Sequence, residues 1–151
     1  MVKIKRATSA DLNELVKMFD AYRVWYRKDS DIDRAHTFLS DRIENNESVI
    51  FIAVASEKAI GFTQLYPIFS STRMKRVWLL NDLFVSPKAR GQGVSKTLLA
   101  AAQDHCRKTG ACAVSLETEI SNEIGNQLYP KMGFTLNESH NFYEWSNEGI
   151  S

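Results

Sequence analysis

A mixed α/β sheet of about six to seven strands, flanked by helices on both faces, is the fold class this 151-residue chain predicts. Two features of the apolar pattern carry that expectation. Two helical stretches are followed by three strands joined only by short turns, and such strands run antiparallel. A strand–helix–strand unit then runs from Val77 to Thr118, and such a unit is parallel. The composition fits a packed core, with 44% hydrophobic residues and only 7 Gly and 3 Pro.

The elements follow in order. Val2 to Ala7 alternates apolar and basic residues, as a half-buried strand does. Thr8-Ser9-Ala10-Asp11 supplies N-cap chemistry for a helix running to about Arg27, with Leu12, Leu15, Val16, Met18 and Phe19 on its inner face. Lys28-Asp29-Ser30-Asp31 breaks it, and a second helix near Arg34 to Asn46 buries Phe38, Leu39 and Ile43. Val49 to Ala55 and Ala59 to Tyr66 form a hairpin across Ser56-Glu57-Lys58. Val77 to Val85 is long and apolar enough to be a central strand. A helix from Val94 to about Lys108, a strand from Ala113 to Thr118 and a short helix from Asn122 to Lys131 come next. Phe134 to Leu136 and Phe142 to Trp145 are expected to close the chain as an antiparallel pair.

The bulk numbers exclude several classes. At this length the chain reads as one domain, residues 1–151, without need of disulfides or metals. A formal net charge of +1 gives no electrostatic case for nucleic acid or an anionic membrane as partner. Cys106 and Cys112 form neither a CxxC pair nor a zinc pattern, so two reduced thiols and no metal are expected. Met1 to Arg6 is too polar for a signal peptide, and no apolar run approaches the roughly 20 residues of a membrane span. A cytoplasmic protein is the expectation.

The most informative stretch runs from Leu83 through Pro87 and Arg90-Gly91-Gln92-Gly93 to Val94-Ser95-Lys96. A buried strand enters a loop with two glycines and an arginine, and the loop opens directly into a helix. Exposed N–H groups at a helix start, backed by the macrodipole, make a ready anion site. Glycine lets a phosphate come close to the main chain. Neither the Walker nor the Rossmann pattern is present. Taken alone, the loop could equally be a tight turn.

Arg90-Gly91-Gln92-Gly93-Val94-Ser95 resembles the acyl-CoA loop [Q/R]-x-x-G-x-[G/A] of the GNAT superfamily, with Ser95 where Gly or Ala is usual. Asn122 to Phe134 is similar to that family's late NxxAxxLYxKxGF motif, with Gly125 in place of the small Ala. Ile4 to Leu12 looks like its first strand and helix start. The resemblance covers nearly the whole chain and implies a GNAT fold and an enzyme that moves the acetyl group of acetyl-CoA onto a primary amine.

It also implies roles for particular residues. Leu83, Phe84 and Val85 lie in the strand expected to hold the pantetheine. Gly91, Gln92, Gly93, Val94 and Ser95 would offer N–H groups to the pyrophosphate, while Arg90 would hold the loop or pair with a phosphate. Asn122 would bond the pantetheine arm, cap its own helix, or both. Tyr129 is the candidate general acid, a phenol of pKa about 10 suited to protonating a thiolate; it could also be simple core.

Asp82 in the apolar run Leu79 to Val85 needs a reason, because an unpaired buried charge is costly. It is the candidate general base or amine ligand, unless it merely satisfies neighbouring backbone groups. Glu117 is the second choice. Strand alternation sends Asn81 and Asp82 to opposite faces. The segment is similar to the E-D-F-F-V strand of polyamine acetyltransferases, with Asn81 replacing the glutamate.

Two stretches, Tyr22 to Asp33 and Pro67 to Arg76, would wall the acceptor site by the resemblance. Trp25 and Tyr26, with Asp29, Asp31 and Asp33, would receive a cationic amine, or else form a core stripe beside a solvated loop. The acceptor is expected to be a small-molecule amine: a polyamine, an amino acid or an aminoglycoside-like compound. The alternatives are a protein lysine or N-terminal acetyltransferase and a non-catalytic acyl-CoA sensor. Phe142 to Trp145 is apolar enough to allow a homodimer.

Overall fold

A computed structural model describes residues 1–150. They fall into two compact units, one spanning Met1–Glu117 and a second beginning at Thr118. In the first unit the order is β1 (Lys3–Arg6), α1 (Leu12–Trp25), α2 (Ile32–Glu44), β2 (Val49–Ala55), β3 (Lys58–Ser70), β4 (Lys75–Val85), α3 (Val94–Thr109) and β5 (Ala113–Ser115). The strands form one sheet in the order β1-β2-β3-β4-β5, antiparallel except for the parallel β4–β5 pair. The mixed topology expected from the connections is therefore present.

Short 3-10 turns precede α1 and follow β4, at Ser9–Asp11 and Pro87–Ala89. The first is closed by a capping box: Thr8 Oγ1 accepts from Ala10 N, and Asp11 accepts from Thr8 N. Asp31 caps α2 by accepting from Arg34 N. The hairpin between β2 and β3 turns through Ser56 and Glu57, both at positive φ.

The two sheet faces are covered by different helices. On one, Leu15, Phe19, Ala35 and Leu39 of α1 and α2 pack on Ile50, Ile52, Phe62 and Phe84. On the other, Val94 and Leu98 of α3 pack with Ala53, Val85 and Ala89. Alternation along β4 explains the split, since Phe84 and Val85 point to opposite faces.

The sheet has five strands rather than six to seven. β5 ends at Ser115, short of Thr118, and residues 134–145 form no strand. Three- and four-residue apolar segments make a marginal ladder on their own. The link between them is occupied by local bonding, as Asn137 Oδ1 accepts from Ser139 N and Oγ. β3 runs on to Ser70 and β4 starts at Lys75, so most of the stretch expected to wall the acceptor site is hairpin.

The second unit holds α4 (Glu123–Lys131). Asn122 is its N-cap, accepting from Gly125 N and donating to Thr118 Oγ1. The Tyr129 ring lies edge-on to Phe134, 6.0 Å away. A Cβ at position 125 would come within 3.1 Å of the Tyr129 ring and 2.5 Å of the Asn122 amide, which accounts for Gly125 where the family motif has Ala. Among the described residues no helix is long and apolar enough to cross a membrane.

Candidate active site

Strand β4 builds the site, and an irregularity in it sets the geometry. Gln64 pairs with Asp82 across the sheet, but the next residue of β3, Leu65, pairs with Leu80. Asn81 is thus an extra, unpaired residue: a β-bulge, which re-aims side chains and tightens the local twist. Simple alternation would send Asn81 and Asp82 to opposite faces. The bulge instead lets both line one cleft on the α1–α2 face. That expectation from the sequence is overturned.

The cleft has a volume of about 370 Å³. Aromatic rings of Phe19, Tyr22, Tyr26, Phe38 and Tyr66 line it together with Asn81 and Asp82. Tyr22 meets Tyr26, Phe62 and Phe84 edge-on at 5.0 to 6.4 Å, and its hydroxyl donates to the Asn81 carbonyl at 3.2 Å. A bulge exposes just such a main-chain group.

Asp82 is 3% exposed. Gln64 Nε2 donates to its Oδ2 at 2.6 Å and Asn81 Nδ2 to its Oδ1 at 3.2 Å. Burial pushes its pKa above the ordinary carboxylate value, against the lowering effect of the Gln64, Asn81 and Tyr22 bonds. A carboxylate so placed accepts a proton more readily than one in water. Burial, and then the Asp82 charge, push Tyr22 upward, and the same two causes act on Tyr66, so both phenols stay protonated.

Past Leu79 the ladder to β5 stops, so Leu80 to Val85 have only β3 as a strand partner. The other edge of β4 is thus free of a neighbouring strand where Leu83, Phe84 and Val85 stand. Pro87–Ala89 then leads into the glycine loop. Gly91 and Gly93 take φ of 80° and 78°, and a Cβ at either position would meet nothing within 4 Å. Gly93 is the N-cap of α3 and offers no side chain to the first N–H groups of that helix. The first N–H groups of α3, on Val94, Ser95 and Lys96, therefore have no side-chain cap, and the place a Cβ on Gly93 would take is empty. This arrangement fits an anionic group carried to the loop.

Arg90 resolves toward holding the loop. Its Nε donates to the Val85 carbonyl at 2.9 Å, and its guanidinium lies 4.7 Å from the Trp25 ring centroid. Trp25 is accordingly a stacking partner of the loop arginine and not part of the cleft wall. Tyr26 does line the cleft. Glu117 lies beyond the end of β5, is exposed, and does not line the cleft. Asp29, Asp31 and Asp33 are likewise absent from the wall, where Arg23, Lys28 and Arg34 stand.

Gln64 and Tyr66 were not singled out from the sequence, and Tyr22 entered only as the first residue of a stretch expected to wall the acceptor site. For Gln64 a signal existed: Thr63-Gln64 interrupts an apolar strand much as Asp82 does, and both are fully buried. Tyr22 and Tyr66 carry no such mark, since an aromatic residue in a helix or strand reads equally well as core.

The acetyltransferase (GNAT) family model matches residues 13–134. The chain belongs to this family. An uncharacterized N-acetyltransferase, YhfO of Bacillus subtilis strain 168, is 45% identical over 133 residues, covering 88% of this chain and 89% of that protein. A probable acetyltransferase of Haemophilus influenzae is 32% identical over 149 residues, with 96% and 98% covered. A crystal structure of a probable acetyltransferase superposes with a TM-score of 0.92 at 37% identity, over 96% of this chain and 97% of that one. The mixed sheet with α1 and α2 on one face and α3 on the other is the GNAT fold, and the chain is an N-acetyltransferase of that family.

Proposed function

We propose that this acetyltransferase carries the acetyl group of acetyl-CoA to the primary amine of a small molecule by direct attack. The observation that carries the reading is β4 itself. One strand presents a buried, proton-accepting carboxylate to an aromatic cleft and runs on into an uncapped glycine loop at a helix start. Acetyl-CoA supplies the activated thioester. Leu83, Phe84 and Val85 flank its pantetheine arm; the N–H groups of Gly91, Gln92, Gly93, Val94 and Ser95 receive its pyrophosphate; Arg90 fixes the loop.

Asp82 takes a proton from the incoming ammonium, directly or through one water, which leaves the nitrogen lone pair free. The amine nitrogen then bonds to the thioester carbon as the carbon–sulfur bond breaks. Tyr129 gives its phenolic proton to the departing thiolate, and the second proton, which the nitrogen sheds on becoming an amide, passes through water to the tyrosinate; Asp82 returns its own to solvent. Asn122 holds the start of α4 and with it the Tyr129 backbone. The raised proton affinity of Asp82 supports turnover over a sensor that only binds acyl-CoA, because a binding site has no use for a buried base.

Thiol release from acetyl-CoA across a panel of amines and amine-bearing peptides tests the reading. Thermal stabilisation by acetyl-CoA is the accompanying measurement. No release with any amine, together with no stabilisation by acetyl-CoA, overturns it. Release with peptides alone moves the acceptor to protein amines.

A further inference from the structure

We infer that the acceptor is an amine that also carries an anionic group, a carboxylate or phosphonate, on an apolar or aromatic body, and is not a polycation. The inference rests on reading the 370 Å³ cleft as the acceptor site. The charges on its wall decide the class. Asp82 is the single carboxylate that lines it, deep and beside Asn81, whereas Arg23, Lys28 and Arg34 supply three cations.

The neighbouring acids are turned to other work. Asp20 is 7% exposed; it accepts from Ser30 Oγ at 2.6 Å and from Asp31 N at 2.8 Å, and it tempers the Arg23 charge. Asp31 caps α2. Arg23 itself donates to the Asp29 carbonyl. Lys28 and Arg34 form no salt bridge with any described residue. Two unneutralised cations on an aromatic wall attract an anion and repel a second or third ammonium group.

The remaining wall sets the body of the ligand. Phe19 and Phe38 stack at 5.7 Å, and the Tyr22 and Tyr26 rings meet at 5.0 Å. Flat apolar surface of this kind takes an aromatic or branched aliphatic side chain. An amine directed to Asp82, a body against the rings and an anion at Lys28 and Arg34 match the carboxylate, the aromatic wall and the two unneutralised cations of the cleft.

The test compares kcat/KM at saturating acetyl-CoA for phenylalanine, its carboxamide, its phosphonate analogue, spermidine and an aminoglycoside. The acid or the phosphonate is expected to exceed the carboxamide by about tenfold to a hundredfold, the range of one charge-assisted contact. Which of the two is faster identifies the anion. Arg34→Gln and Lys28→Gln should erase the preference while keeping the melting point and its rise with acetyl-CoA. Equal rates for acid and carboxamide, or spermidine as best substrate, overturn the inference and leave acetyl transfer standing. If turnover is indifferent to Asp82→Asn and to Phe38→Ala, the cleft is not the acceptor site and the underlying reading falls. Absence of both turnover and calorimetric binding for every anion-bearing amine also overturns it.

Discussion

Asp20 and Asp82 are both buried acids on the α1–α2 side of the sheet, yet their surroundings drive them in opposite directions. Asp20 sits within α1 and receives the Ser30 hydroxyl and the Asp31 amide from the loop that follows the helix. The Ser30 bond is the main cause that holds its pKa low, with the Asp31 amide next. Asp82 sits at the bulge of β4 with two side-chain amides as donors, and there burial outweighs the bonds and lifts its pKa. Burial alone therefore does not mark a reactive carboxylate. What distinguishes them is whether short bonds from the local chain outweigh the loss of water. The first acid is structural and orders the loop that carries Lys28; the second is left ready to change its protonation state.

Five experiments break or sharpen that contrast. The largest expected effect is on turnover. Asp82→Asn keeps the side-chain volume and removes the proton acceptor, so kcat should fall by about 10²–10⁴-fold. The rate of the native enzyme should rise with pH through the elevated Asp82 pKa, and that acidic limb should vanish in the variant. Tyr129→Phe should produce a loss of similar size with KM for acetyl-CoA nearly unchanged. A variant that stays active but melts early would return the tyrosine to a packing role.

Acetyl-CoA at a hundredfold excess over its dissociation constant should stabilise the fold by about 2.7 kcal/mol. Gly93→Val should abolish that gain, because a β-branched side chain would stand in the open space before α3. It would also have to adopt a φ of 78°, so a lower melting point of the free variant is expected as well.

Asp20→Asn is the counterpart of Asp82→Asn: about 1–2 kcal/mol of stability should be lost, with the acidic limb of the rate profile intact. Linkage gives the two acids opposite signs. The folded pKa of Asp20 is depressed, so its contribution is present above pH 3.8 and fades as pH falls through the lower folded value. The folded pKa of Asp82 is raised, so its contribution is fully present below 3.8 and fades as pH rises through the higher folded value. Urea titrations of the two variants across that acidic range would show curves that diverge from the native protein in opposite directions.

The smallest effect concerns the β2–β3 turn. Glu57 holds a φ of 63° that glycine adopts without cost, and Glu57→Gly should raise stability by about 0.5–1 kcal/mol with no change in turnover. A thermal melt checks it.

How legible each region was in the sequence follows the same physics. The glycine loop is contiguous, and its residue types match its backbone needs, so Arg90 to Ser95 could be read directly. Asp82 was conspicuous because a charge in an apolar strand requires an explanation. The cleft wall was legible only in part: the resemblance marked the stretch from Tyr22 to Asp33, but the wall is assembled from α1, α2, the loop between them, and β3 and β4. Asp29, Asp31 and Asp33 looked available in sequence, yet none lines the cleft and Asp31 caps α2; Arg23, Lys28 and Arg34 were given no part in receiving the substrate. Helical and strand periodicity located the elements of the first unit to within a few residues. The segment after α4 misled because apolar residues there suggest pairing, whereas Phe142, Tyr143 and Trp145 stay exposed.

The bulge at Asn81 behaves as a phase marker in β4. Every residue after it faces the way it does because one extra residue precedes it: Phe84 toward α1 and Val85 toward α3. Exchanging Asn81 for another amino acid alters one lining group, but deleting it shifts the alternation of all that precede the glycine loop by one step. Asp82 would then lose either its place across from Gln64 or its view of the cleft. The length of this strand is thus a specification in its own right, and a single missing codon would do more harm here than many replaced ones.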